Sequence, residues 1–223
     1  MCGRYVTKDQ AAIEAAFRIT RIRWNELRDS YNVAPSQQVP VVRTVDGERE
    51  GITMHWGLIP AWAKGEPTKY ATINATVENI ETGRLWRSAW SHARRCIFPV
   101  SGFYEWHLNT DKSKQPYYIT CADQDVFGFA GLWEDSINEA GISTLSCAII
   151  TLPANPFMAE IHNTRARMPA VLSRDAHDSW LCGTTDDARA VLQPYPQDLM
   201  VAYKVSKKVN IAKNNSPDLI LAI

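Results

Sequence analysis

The 223-residue sequence has no excess charge of either sign: 24 Lys and Arg stand against 24 Asp and Glu. That balance excludes a polycation that holds nucleic acid by bulk attraction, so phosphate recognition has to come from a local patch. Cysteine is scarce and unpaired. Cys2, Cys96, Cys121, Cys147 and Cys182 are odd in number and show no CxxC spacing, which excludes a disulfide framework and points to a reducing compartment. No apolar run reaches the length of a membrane span, and MCGRYVTKDQ (1–10) is too polar for a secretory leader. The expected address is therefore the cytoplasm, with no membrane partner. The GxxxxGK, GxGxxG, HExxH and GxSxG patterns are absent, and His55, His92, His107, His162 and His177 lack metal-ligand spacing. Neither metal nor cofactor is expected.

What is present is a β-rich middle between shorter helical stretches. Thr7-Lys8-Asp9-Gln10 reads as a capping box, and Ile13, Ala16 and Phe17 then share one face at helical spacing. VPVVR (39–43) and ITMHWG (52–57) flank Asp46-Gly47, a hairpin signal. CIFPVSGFYEWHL (96–108), QPYYITCA (115–122), VFGFAGLWE (126–134) and ISTLSCAIIT (142–151) follow as strands, expected to pair antiparallel. Toward the end, ANPFMAEIH (154–162) reads as a helix and RMPAVL (167–172) as a strand. SRDAHDSWL (173–181) reads as a helix capped by Ser173 and stopped by Gly183, with Thr185 capping a further one; LMVAYKVS (199–206) is a last strand. With no repeat and no long linker, the whole of 1–223 is expected to form one α+β domain.

Five features carry chemistry. In Met1-Cys2-Gly3-Arg4 a small residue follows the initiator, so removal of Met1 would free the Cys2 α-amine. An N-terminal cysteine holds an amine, with a pKa near ~8, and a thiol on adjacent carbons; the amine condenses with an aldehyde and the thiol closes a five-membered thiazolidine. MCG alone fits an incidental small residue at a frayed terminus better. Glu105 stands between aromatics in Phe103-Tyr104-Glu105-Trp106, where desolvation would raise its pKa and suit it to general acid work; a solvent-facing position in an alternating strand is the alternative. Asn74 follows an apolar run and offers donor and acceptor, as a turn-forming Asn also would. His162 stands near Arg165 and Arg167, which suits a proton shuttle beside a phosphate, or simply a cationic helix end. Trp56 and Trp62 suit a core position and a base-stacking ring respectively. Two local basic segments add to this: Arg84, Arg87, Arg94 and Arg95 against Glu81, and Lys204, Lys207, Lys208 and Lys213 against Asp218, each net +3.

The blocks occur in a specific order: MCGRY, YNVAP (31–35), WGLIPAW (56–62), INA (73–75), RCIFPVSGFYEW (95–106), KQPYY (114–118), FAGLWE (129–134), IHNTRARMPAVL (161–172) and VSKKVN (205–210). This series resembles the SRAP family, the SOS-response-associated peptidases now understood as abasic-site processing proteins, over essentially the whole chain. The resemblance implies one α+β domain with a curved, barrel-like, mainly antiparallel sheet flanked by short helices. It implies a monomer that binds single-stranded DNA and cross-links covalently to an abasic site through Cys2. By the same likeness Glu105 is the acid/base residue, Asn74 positions the terminus and sugar, and His162 contacts the lesion phosphate. Arg4, Asn32, Pro35, Trp62, Arg84 and Thr151 would contact DNA. The family commonly reads Asn-Ala-Arg-x-Glu, whereas this chain has Asn74-Ala75-Thr76-Val77-Glu78; Arg87 or Lys69 would have to replace that Arg. The older family name suggests a rival, an N-terminal-nucleophile peptidase that removes Met1, and a non-catalytic single-strand binder is a second rival.

Overall fold

The computed structural model of the chain describes residues 2–223. Its first half carries β1 (Tyr5–Thr7), β2 (Arg21–Ile22), β3 (Ser30–Val33), β4 (Gln38–Val45), β5 (Glu48–Trp56), β6 (Asn74–Thr76) and β7 (Arg95–Val100), with helices α1 (Gln10–Ala16) and α2 (Arg87–Ser91). The second half adds β8 (Gly102–Leu108), β9 (Lys114–Cys121), β10 (Phe127–Ile137), β11 (Ser143–Pro153), β12 (Arg167–Pro169), β13 (Val171–Leu172) and β14 (Met200–Lys204). Helices α3 (Pro156–Ile161), α4 (Ala176–Cys182) and α5 (Thr185–Ala190) lie among them.

The larger sheet closes on itself. Its strands run β11-β10-β7-β4-β5, and β5 then returns to β11 through a parallel pairing of Ser146 with His55 and Cys147 with Trp56. Closure removes the open edges of these five strands and leaves β7 buried along its full length, which is why RCIFPV reads as a continuous apolar run rather than an alternating one. The interior is aromatic: Tyr5 lies 5.3 Å from Trp56 and 6.4 Å from Phe98 and Phe129, and all four rings are fully buried. A second sheet, β14-β9-β8-β1-β3, packs beside the barrel. Its outer face is covered by a small apolar cluster of Val6, Tyr104, Tyr118, Val205, Val209 and Leu219, which ties the C-terminal segment down.

Several expectations change at the level of single residues. The run 96–108 is two strands: Ser101 interrupts it, its N–H donates to the Val6 carbonyl at 2.8 Å, and the chain crosses from the barrel into the second sheet. Gly102 is required there, since an added Cβ would stand 2.1 Å from the Tyr118 hydroxyl. RMPAVL is likewise divided at Ala170 into β12 and β13. Pairing is mainly but not wholly antiparallel, because β2 and β11 both run parallel to β5 and β6 runs parallel to β11. Helix α1 is capped by Asp9, which accepts from Ala12 N–H, and not by Thr7, which ends β1. Thr184, in a capping box with Asp187, caps α5 in place of Thr185, and α4 has Asp175, not Ser173, at its N-cap, with no side-chain cap bond. The Asp46-Gly47 turn is as expected, with φ of 52° and 80°, a two-residue hairpin loop.

Candidate active site

Strand β1 pairs antiparallel with β8, Tyr5 opposite Phe103 and Val6 opposite Gly102. The ladder continues past the strand end, where Tyr104 N–H donates to the Arg4 carbonyl at 3.0 Å. Beyond Arg4 the chain brings the Cys2 thiol within electrostatic reach of Glu105. Side chains alternate along β8, so Glu105 shares the core-facing side with Phe103, while Tyr104 enters the outer cluster. Glu105 is 2% exposed in consequence.

Asn74 arrives from another direction. Strand β6 is laid parallel to β11 with Asn74 opposite Ile149, and the Asn74 Nδ2 donates to the Cys2 carbonyl at 3.0 Å. Its Oδ1 is buried and finds no hydrogen-bond donor among the described residues. Asn74 thus grips the residue that follows the initiator and keeps an acceptor beside it. His162 closes the site from the third side. It caps the C-terminus of α3, which docks on β8 as His107 Nδ1 donates to the Glu160 carbonyl at 2.8 Å. Asn163 exchanges both hydrogen bonds with the Leu108 backbone at 2.9 Å. Cys2, Asn74, Glu105 and His162, which span most of the sequence, are therefore assembled by β1, β6, β8 and the end of α3.

Burial dominates the electrostatics of these groups. Burial raises the Glu105 carboxyl to about 7, against a smaller opposing effect of the Trp106 backbone N–H. Burial, and then the neighbouring Glu105 charge, push the Cys2 thiol well above the ordinary thiol range. Burial lowers the His162 pKa, which keeps the ring neutral. Its Nδ1 lies 2.9 Å from the Arg167 carbonyl; a carbonyl only accepts, so Nδ1 carries the proton and Nε2 is the basic nitrogen. Glu105, Trp106, Lys114, His162, Thr164 and Asn210 line one cleft of about 410 Å³.

The residues singled out for DNA contact fall into two groups. Trp62 and Arg84 come together at the surface: the guanidinium stacks 4.3 Å from the ring, the indole N–H donates to the Arg84 carbonyl at 3.3 Å, and Trp62 is 43% exposed. Arg87 and Lys69 are exposed as well, and Pro35 is half-buried in the turn after β3. The others face inward. Arg4 donates to Asn32 Oδ1 at 2.9 Å and to the Val209 carbonyl at 2.7 Å. Asn32, buried, donates to the carbonyls of Val209, Ile211 and Asn214, so this pair ties the C-terminal turn to the segment that leads into β1. Thr151 is fully buried and accepts Arg167 at its carbonyl at 2.6 Å; Arg167 also forms a two-pronged pair with Glu78, at 2.6 and 3.0 Å. Of the basic run 81–100, Arg95 is buried on the carbonyls of Gly183 and Thr184, and Arg94 pairs with Glu134. Arg84 and Arg87 are the exposed cations of that run. Lys114 and Asn210 lie in the quoted blocks KQPYY and VSKKVN, but residue type alone carries no signal that they reach the cleft. Among the described residues no group of three His, Cys, Asp or Glu could hold a metal, and no helix is long and apolar enough to cross a membrane.

Comparison with known proteins shows the family and the fold. The family model "SOS response associated peptidase (SRAP)" matches residues 1–212. The abasic site processing protein YoqW of Bacillus subtilis is 38% identical over 99% of both chains, and YedK of Escherichia coli, with the same description, is 30% identical over 99% of both. A crystal structure of a protein from Bacteroides thetaiotaomicron superposes with a TM-score of 0.86 at 26% identity, covering 100% of both chains.

Proposed function

This chain belongs to the SRAP family, and from that premise we propose that it binds single-stranded DNA as a cytoplasmic monomer and joins Cys2 covalently to an abasic site. The observation that carries the reading is the Asn74 amide on the Cys2 carbonyl, with the buried Glu105 acid acting on the same residue and the His162 imidazole lining one cleft with that acid.

An abasic sugar is mostly a closed hemiacetal, and its ring opens when a proton reaches the ring oxygen while one leaves the anomeric hydroxyl. Glu105, protonated near neutrality, supplies the first proton; His162 Nε2 accepts the second. With Met1 removed, the Cys2 amine adds to the exposed aldehyde to give a carbinolamine, and loss of one water leaves an imine. The thiol then adds to the imine carbon, its proton passes by way of the Glu105 carboxylate to the nitrogen, and the thiazolidine ring closes. The net change is one aldehyde and one aminothiol to one ring and one water. The buried Asn74 Oδ1, with its acceptor unused among the described residues, then accepts from the freed amine and orients it.

Burial raises the Cys2 thiol pKa, so either reading needs a base at the thiol as it attacks. In the ring closure that base is the Glu105 carboxylate. A peptide substrate turned over without DNA would favour the peptidase rival. Thr76 in place of the family Arg leaves phosphate binding to the exposed cations Arg84, Arg87 and Lys69.

The test is denaturing electrophoresis after incubation with single-stranded DNA bearing one abasic site. A retarded band that survives heat without borohydride is expected; salt-sensitive binding with no covalent product would leave only the binder rival. Arg84→Ala should weaken binding to intact single strands and lower the salt slope by about 0.7, the value for one lost phosphate contact. Cross-linking should recover at high protein concentration. Filter binding across a salt series reads this directly, and an unchanged slope would remove Arg84 from the DNA path.

A further inference from the structure

The cleft beside Cys2 carries a group that the reaction above does not use. Of its six lining residues, Lys114 alone is a fixed cation, because His162 is held neutral. Lys114 opens β9 directly opposite Leu108. The Leu108 backbone is the one stapled to Asn163, so the hairpin end that bears Lys114 is held against the segment that presents His162 and Thr164. The facing wall is equally fixed. Asn210 Oδ1 accepts from the Trp106 indole N–H at 2.8 Å, and its neighbour Val209 is held by both Arg4 and Asn32. Among the described residues Lys114 pairs with no carboxylate.

An abasic residue is a neutral sugar between two phosphodiesters, so whatever enters this cleft brings anionic oxygens close to Glu105. A flexible, compact ammonium at the rim is suited to a phosphate as a point charge. We propose that Lys114 binds one of the two phosphates that flank the abasic sugar. The inference rests on the proposed function, since it takes the cleft to be the lesion site.

The experiment uses single-stranded DNA with a tetrahydrofuran abasic analogue, which lacks the aldehyde and so reports binding apart from cross-linking. Three versions are compared by fluorescence anisotropy: unmodified, and with a neutral methylphosphonate on the 5′ or on the 3′ side of the lesion. Lys114→Gln should weaken binding to unmodified DNA about fivefold or more at low salt, where screening is least. It should cause almost no further loss on one of the two methylphosphonate strands, and its full loss on the other. Lys114→Arg should retain most of the affinity. Equal losses from Lys114→Gln on all three strands, or none on any, would overturn the assignment. Wild-type protein is tested in parallel on the natural aldehyde. Coupling on the analogue without a covalent product on the aldehyde would sink the cross-linking reading and leave Lys114 in place; a covalent product without coupling would do the reverse.

Discussion

Cys2→Ala should form no heat-stable adduct with abasic single-stranded DNA, while its binding to intact strands stays near the wild-type value. The covalent bond needs an amine and a thiol on adjacent carbons, and alanine keeps only the amine. A transient imine can still form, and borohydride should trap it. Inserting one Gly between Met1 and Cys2 gives the sharper form of the test. Removal of Met1 then leaves the amine on the inserted Gly and the thiol on Cys2, and a five-membered ring can no longer close. Both variants should therefore lose the stable product altogether, an effect larger than any change in affinity. The register of β1 on β8 starts at Tyr5 and is set by the ladder through Arg4, so an added residue ahead of Cys2 has no strand pairing to disturb. A borohydride-independent adduct from the insertion variant at the wild-type rate would mean that the thiol acts alone.

Glu105→Gln should slow cross-linking by about 10²-fold, the usual worth of a positioned general acid, with little effect on DNA binding. The wild-type rate should also decline as pH rises through about 7, because the acid form is then lost; the variant should lack this limb. The stability effect has the opposite sign from that of an ordinary salt-bridged carboxylate. Burial holds the folded-state pKa at about 7, above its unfolded value, so the folded protein binds the extra proton. Stability from this group is present at low pH and is lost as pH climbs from the ordinary carboxylate range through 7, by up to about 3 kcal/mol. The Gln variant should accordingly match or exceed wild type in urea midpoint at pH 8 while remaining much slower. Full activity in Glu105→Gln across the pH range would reassign the residue to structure.

How much of this was legible in the sequence depends on what each residue does. The strand-rich middle, the Asp46-Gly47 hairpin and the helix after Ala154 followed from local periodicity and turn chemistry, which depend on neighbours in the chain. Closure of the barrel did not. It rests on the parallel pairing of β5 with β11 across about ninety residues, for which no short-range pattern exists. Cys2, Asn74, Glu105 and His162 were chosen one by one on chemistry, but their convergence comes from four elements whose packing is a tertiary fact. Asn32 and Thr151 show the reverse problem. The family likeness implies that they contact DNA; in the fold both are buried, Asn32 bonded to the C-terminal backbone and Thr151 to Arg167. Lys114 carries no signal of its own in the sequence, because a lysine at a strand start has nothing to mark it until the hairpin carries it to the cleft.

The most direct measurement of the central claim is the mass of the cross-linked terminus. Untagged protein is reacted with a short abasic oligonucleotide, digested with nuclease and trypsin, and analysed by tandem mass spectrometry with a thiol alkylator present throughout. The account predicts the tripeptide Cys2-Gly3-Arg4, without Met1, carrying the sugar with one water lost and with its thiol closed to alkylation. The same tripeptide bearing the sugar with an alkylated thiol, an adduct on another residue, or an adduct on a chain that keeps Met1 would contradict it.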